Sequence, residues 1–308
     1  MGSVVISLDA ELGWGYLDFE DPPDRVEYAR SGWTTLVDLF EEFDVPATWA
    51  IVGHLFLDDC DGRHSAHPAP DGWFEKETGI WRSRPDLRFG RDLVDAVRTS
   101  NANHEIGCHS YSHPQFGRID HAFADAEIRA CVDIASDYGV ELDSFVYPRN
   151  DVGHRDVLEK YGFSCYRGPS PVFQDTPLPK GVHTLVDGVY VPGQSLLVTP
   201  SVDEYGLVDI PASLYLFSFE GMALDIANRL VGDPVVRQAK RGIDQAASDD
   251  GVFHMWLHPN NLHTDYSVER IRRILAYVAD VRAETDLVVE TMGEVARRTL
   301  AQSPVRPT

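Results

Sequence analysis

Five side chains carry most of the chemistry this sequence offers: Asp9, Glu11, His109, His113 and His258. His109 and His113 end the stretch His-Glu-Ile-Gly-Cys-His-Ser-Tyr-Ser-His, which begins at His104. Two neutral imidazoles brought to one side can grip a divalent ion. A catalytic ion of that kind takes a third protein ligand and keeps one position open. Glu11 can supply the third ligand, and one oxygen with two nitrogens suits zinc before other divalent metals. The chemistry would be hydrolysis, because water on such an ion has its pKa lowered to about 7. Asp9 is placed to act as general base, and His258 to protonate a leaving amine. Backbone N–H groups near Arg149 are candidates for an oxyanion hole. The chain has no G-x-S-x-G and no reactive-cysteine setting, which argues against an acyl-enzyme, and it has no Gly-rich phosphate loop.

These residues lie about 100 and 250 positions apart, so the fold must gather them. Short apolar runs predict strands at Val4–Leu8, Ala47–Val52, His104–Cys108, Ser144–Tyr147, Phe163–Tyr166, Leu207–Ile210, Val252–Leu257 and Asp286–Val289. Helical spacing falls between them at Gly32–Phe43, Phe89–Thr99, Asp120–Tyr138, His154–Tyr161, Met222–Leu230, Val235–Ala247 and Tyr266–Glu284. Thr291-Met292-Gly293-Glu294 reads as a capping box that opens a final helix. Alternating strands and helices imply parallel βαβ units, and seven or eight short buried strands in 308 residues favour a barrel. Asp9, Glu11, His109, His113, Arg149, Arg167 and His258 all follow a predicted strand, which is where a barrel assembles its active site. Pro114 disfavours a helical His113, so the histidine pair is expected in a loop.

Trp14, Tyr147, Arg167 and Asn260 are candidates for the substrate side. His54, just after the second strand, is either a fifth such group or a buried histidine bonded to backbone. Residues 58–80 read as a loop insertion framing the mouth of the site. Its aspartates, with His64 and His67, also leave a second metal site open. Trp73, Phe74 and Trp81 are either sugar-stacking walls or pins for this loop. Residues 168–201, rich in Pro, Gly and Val, read as a long excursion. No repeat or linker divides the chain, so one catalytic unit over residues 1–308 is expected.

Asp and Glu number 49 against 27 Lys and Arg, for a formal charge of −22, and only Lys76, Lys160, Lys180 and Lys240 are lysines. Such a surface stays soluble at high salt, where counterions screen its self-repulsion, and suggests a halophile. It excludes nucleic acid as a natural partner, since phosphate binding needs clustered positive charge. No run reaches the ~18 apolar residues of a transmembrane helix. The chain starts in strand-like sequence without a signal-peptide pattern, and its four cysteines show no C-x-x-C pair. A cytoplasmic location is the expectation. Oligomeric state is not legible.

The same residues resemble the polysaccharide deacetylase superfamily, the NodB-homology enzymes of carbohydrate esterase family four, in a haloarchaeal-type branch. Ser7-Leu8-Asp9-Ala10-Glu11 is similar to the family's first motif, His109-Ser110-Tyr111-Ser112-His113 to its H-[ST]-x-x-H motif, and Leu257-His258 to its late motif. Ala47–Gly53 resembles the family's second strand. The resemblance implies a distorted (β/α)7 barrel, with Asp9 as base, Glu11, His109 and His113 on a divalent metal, and His258 as acid. It implies removal of an N- or O-acetyl group from a sugar. Departures are visible. Ala10 stands where the family has a second aspartate, and Val146 where it has an arginine, so that Arg149 is left to orient Asp9. Asp203 and Asp209 are candidates for the acid that tunes His258. Tyr147-Pro148-Arg149-Asn150 looks like a branch tied to glycan synthesis, which implies a nucleotide-sugar or lipid-linked precursor as partner. Two other readings stay open: a hydrolase of cyclic or formylated amides on the same barrel, and a non-catalytic carbohydrate-binding relative.

Overall fold

The computed structural model describes residues 2–16, 19, 21–74, 80–169, 195–218 and 232–302. Among the described residues ten strands form one sheet. They are β1 (Ser3–Ala10), β2 (Thr48–Ile51), β3 (Glu105–Cys108), β4 (Ser144–Val146), β5 (Cys165–Arg167), β6 (Ser201–Val202), β7 (Val208–Asp209), β8 (Leu214–Tyr215), β9 (Val252–Leu257) and β10 (Val288–Glu290). The helices are α1 (Ala29–Glu42), α2 (Pro85–Arg88), α3 (Arg91–Thr99), α4 (His121–Asp137), α5 (Arg155–Lys160), α6 (Pro234–Ser248), α7 (Asp265–Glu284) and α8 (Met292–Gln302). The eight predicted strands, and the predicted helices other than 222–230, are reproduced within a few residues. The helical pattern at 222–230, most of the 168–201 excursion and residues 75–79 of the insertion lie outside the described residues.

β1 through β5 pair in parallel in chain order, and β9 pairs with the other edge of β1. One segment curls this sheet into a barrel. Val208–Asp209 pairs with β5, the chain passes Pro211, and Leu214–Tyr215 pairs with β9. Proline has no N–H to donate, so the stave breaks there and each half serves a different neighbour. β1 to β5, this broken stave and β9 make the seven staves of a distorted (β/α)7 barrel. β6 forms a short antiparallel pair with β7, and β10 lies beside the start of β1.

Side chains alternate across each stave. On β1, Val4, Ile6, Leu8 and Ala10 join the core made with α1, α6 and α7. Val5 faces the other way and packs with Ala50, Val146, Cys165, Val208 and Val295 of α8. This second, interior cluster is small and apolar, so it is the floor on which a polar layer rests. Ser7, Arg167 and His254 form that layer. The Arg167 guanidinium donates to Ser7 Oγ at 3.2 Å, and His254 Nε2 lies 2.9 Å from the same oxygen. Asp9 stands one step higher.

Candidate metal and catalytic site

Asp9 is the ninth residue of the chain and the fourth inward position of β1, so alternation points it along the barrel interior. Glu11 follows where the chain turns, with Leu12 at φ 46°. Both carboxylates are buried, at 3% and 6% exposure. The glycines after them are required by space. A Cβ at Gly15 would lie 2.1 Å from Glu11 Oε1, so only glycine lets the carboxylate rest there.

His109 to His113 leave β3 as a loop, as Pro114 predicts. Ser110 and His113 take positive φ values of 62° and 64°. Each such residue costs on the order of 1–3 kcal/mol and must be held by its surroundings. A buried carboxylate on α4 does the holding. Glu127 accepts from the Tyr111 N–H at 2.9 Å and the Ser112 N–H at 2.8 Å, and also from the Ser112 hydroxyl. Trp73 donates its indole N–H to Ser112 Oγ at 2.8 Å. Trp73 thus pins the loop to the motif, and Trp81 is buried with Val26 and Leu87. Neither is a free stacking wall.

So held, His113 Nε2 lies 2.9 Å and His109 Nε2 3.4 Å from Glu11 Oε2. The ligand atoms of Glu11, His109 and His113 fall within 4.8 Å of one another. The donor set fits a divalent cation. His109 Nδ1 donates to the Val146 carbonyl at 2.8 Å, which leaves Nε2 as a bare lone pair. That Nε2 is buried and has no hydrogen-bond partner among the described residues. Burial lowers the pKa of His113, outweighing the pull of Glu11 in the other direction, and keeps the ring neutral as a ligand must be. Burial would raise the pKa of Glu11, but the imidazoles of His113, His258 and His109 more than offset this and hold it well below the usual range.

His258, the residue after β9, arrives from the opposite side. Its Nε2 lies 3.7 Å from Asp9 Oδ2 and 3.8 Å from Glu11 Oε1. Its backbone N–H donates to Asn261 Oδ1 at 2.8 Å, a cap that holds the backbone carrying the ring. Its Nδ1 has no hydrogen-bond partner among the described residues. Asp203 instead pairs with Arg155 at 2.9 Å, and the Asp209 carboxylate lies against Gly168. Burial, with Asp203 beside it, pushes Asp209 up to about 6. Neither acid fills the tuning position expected for one of them.

The guanidinium on Asp9 is that of Arg167. It donates to Oδ1 at 2.6 Å and to Oδ2 at 2.8 Å, and a third bond of 3.0 Å reaches Asn150 Oδ1. Arg167 is fully buried and lies over the Trp256 ring, 4.4 Å from its centre. Burial would raise the pKa of Asp9, but Arg167, His258 and His109 together lower it, so Asp9 is ionised. The pairing assigned in the sequence reading to Arg149 is therefore made by Arg167, which that reading gave to substrate. The reason is register. β5 extends through Arg167, so this side chain is an inward-facing strand residue and not a loop group. Arg149 sits in a turn with φ 55° and lines the cavity.

A cavity of about 260 Å³ opens above Asp9, Glu11, His113 and His258. Its outer wall includes Tyr16, Arg149, Asn150, Tyr215, Trp256 and Asn260. Three other residues expected on the substrate side do not line it. Trp14 is buried, donates to the Arg88 carbonyl at 2.9 Å and stacks on His54 at 4.0 Å. His54 is buried and its Nδ1 donates to the Tyr111 carbonyl at 2.7 Å, which is the second of its two readings. Tyr147 packs with Phe116, Phe145 and Tyr166 in the core outside the barrel, because its place after β4 is the outward-facing one. Glu127, Asn150 and Trp256 escaped the sequence reading. Glu127 had a signal. It is an acid within the apolar stripe of Phe123, Ala124, Ile128 and Cys131.

The sequence profile of the family described as "Polysaccharide deacetylase" matches residues 15–165, a span that holds His109 and His113 but neither Asp9, Glu11 nor His258. A Mycobacterium smegmatis protein described as a polysaccharide deacetylase has a similar structure at 16% identity and a TM-score of 0.59, over 99% of this chain and 94% of that one. A Pseudomonas aeruginosa PAO1 protein described in the same way is similar at 14% identity and a TM-score of 0.57, over 99% and 92%. PuuE allantoinase is similar at 15% identity and a TM-score of 0.57, over 98% and 91%. No curated protein sequence matches the chain. The profile covers the histidine-pair loop and about half of the chain, and with the shared barrel fold it marks the polysaccharide deacetylase family as the one this chain resembles.

Proposed function

We propose that this chain is a zinc-dependent deacetylase that removes an acetyl group, foremost an N-acetyl group, from a sugar or glycan precursor. The observation that carries the reading is the convergence of Glu11, His109 and His113 with Asp9 and His258 beneath one cavity. Zinc held by the first three would polarise the acyl carbonyl and acidify the attacking water. Asp9 removes the proton of that water, and the two Arg167 bonds keep it ionised and aimed. His258 Nε2 delivers a proton to the departing nitrogen as the carbon–nitrogen bond breaks, so the products are acetate and a free amine. The Arg149 backbone N–H is the candidate donor for the developing oxyanion, because those of Asn150 and Asp151 donate to the Tyr147 and Pro148 carbonyls. Tyr16, Tyr215 and Trp256 give the cavity aromatic faces for a sugar ring, and Arg149 and Asn260 give polar groups for its hydroxyls or for a nucleotide or lipid phosphate.

We take residues 1–308 as one catalytic unit, a reading supported by a sheet that uses both β1 and β10. The acidic, lysine-poor composition supports a halophilic, cytoplasmic setting. Among the described residues no helix is long and apolar enough to cross a membrane. The test is bound metal and acetate release, measured together in molar salt on protein purified without chelator and offered N-acetylated sugars and nucleotide-sugars. Loss of both in His109→Ala supports the reading. Bound metal without acetate release from any offered substrate counts against it.

A second reading, hydrolysis of another amide on the same barrel, draws on the fold likeness to an allantoinase. Ring opening of allantoin or another cyclic amide without acetate release would favour it. Sugar binding without turnover would favour a non-catalytic relative, against which the retention of Asp9, both histidines and His258 weighs.

A further inference from the structure

The insertion after β2 builds a second group of ligand atoms behind the catalytic loops. His54, on the 3-10 turn Gly53–Phe56, and Cys60 and His64, on the loop that follows, bring one ligand atom each within 4.8 Å of one another. His54 Nε2 lies 3.4 Å from His64 Nε2, and Cys60 Sγ lies 3.3 Å from the same His64 nitrogen. Tetrahedral zinc, with bonds of about 2.0–2.1 Å to nitrogen and 2.3 Å to sulfur, separates two nitrogens by about 3.4 Å and a nitrogen from a sulfur by about 3.6 Å. The observed spacings match to within a few tenths of an ångström.

The surroundings are those of a built site. His54 commits its Nδ1–H to the Tyr111 carbonyl, so the Nε2 it turns toward His64 is the lone-pair nitrogen. Gly62, at φ 73°, donates its N–H to Cys60 Sγ at 3.4 Å, the kind of bond that favours a thiolate. His54 lies between the rings of Trp14 and Tyr111, with centroids 4.0 Å away on each side, and Phe74 covers His64 at 3.9 Å. Gly53 is needed for this packing, since a Cβ there would lie 2.8 Å from the Tyr111 ring.

We propose that His54, Cys60 and His64 supply three of the four ligands of a zinc ion that fastens the insertion onto both catalytic loops. The fastening runs through two residues. Trp14 lies between Glu11 and Gly15, and Tyr111 lies between His109 and His113. The site differs chemically from the catalytic one, because it has sulfur and the Glu11, His109, His113 set has none. That difference makes the two separable.

The test uses the full chain, first counted for zinc and then stripped and loaded with Co²⁺. A thiolate–cobalt bond gives a charge-transfer band in the near ultraviolet that nitrogen and oxygen ligands cannot give. Wild type should bind about two ions per chain and show the band. His109→Ala should lose an ion and keep the band. Cys60→Ser should lose an ion and the band, keep the other ion, and melt at a lower temperature. Absence of the band in cobalt-loaded His109→Ala overturns the proposal, and so does equal alkylation of Cys60 with and without metal. Both of those readings come from chains with Cys60 intact, so they decide the matter even if Cys60→Ser fails to fold. They also hold whatever substrate the enzyme takes.

Discussion

Arg167 holds both carboxylate oxygens of Asp9 with parallel bonds of 2.6 and 2.8 Å, across a barrel from β5 to β1, with Arg167 fully buried and Asp9 open only to the cavity. A fork matched to a carboxylate fixes orientation as well as charge. It also makes the pair brittle, since removing one partner strands the other charge in a buried place. Arg167→Met should therefore destabilise the chain by about 3–5 kcal/mol. Arg167→Lys keeps the charge but not the fork, and should lower turnover at least tenfold with a smaller loss of stability. Denaturation curves and acetate release on the same preparations check both.

Asp9→Asn is close in size and leaves Glu11, His109 and His113 untouched. Bound metal should stay at the wild-type level, and turnover should fall by about 10²–10⁴, the usual contribution of a general base. Turnover near the wild-type rate would mean that another group removes the proton.

Glu127 touches no ligand, yet it accepts three hydrogen bonds from the loop between His109 and His113. Glu127→Gln should weaken metal binding at that loop by about 10–100-fold, the range for partners that orient metal ligands. Competition with a chelating dye measures it. Unchanged affinity would show that the loop keeps its shape without the carboxylate.

His104 and His254 are buried as neutral rings. Burial drives His104 down to about 4 and His254 down to about 3, the latter with Arg167 nearby adding to the effect. The unfolded chain protonates both near 6.5, so between that value and about 4 it binds more protons than the folded chain does. Stability should be level above pH 6.5 and fall as pH drops from there toward 4. Urea midpoints at stepped pH check this, and a His104→Phe variant should flatten part of the slope.

A formal charge of −22 on 308 residues repels itself in dilute buffer. Activity and melting temperature should rise with KCl into the molar range. Best activity at low salt would refute the halophilic reading.

The sequence by itself determined the staves, because apolar runs such as Val4–Leu8 and Val252–Leu257 can be little else in a chain of this pattern. It determined the polar residues at their ends, because short-range rules cover them. Pro114 bars a helix at His113, and the Thr291 and Glu294 pair caps α8 as expected. Which residues face one another across the barrel is a different kind of question. It depends on the register of strands distant in sequence, and a shift of one residue sends a side chain to the other face. Ending β5 one residue early made Arg167 a loop group and left Asp9 to Arg149. Extending β4 by one residue sent Tyr147 toward substrate, when it belongs to the outer core. Trp14 reads as a site residue from its position after a strand, His54 as either that or a buried histidine bonded to backbone, and the packing around Tyr111 decided that both are support. Glu127 and the meeting of His54, Cys60 and His64 are likewise tertiary facts, since only the folded chain brings those atoms to bonding distance.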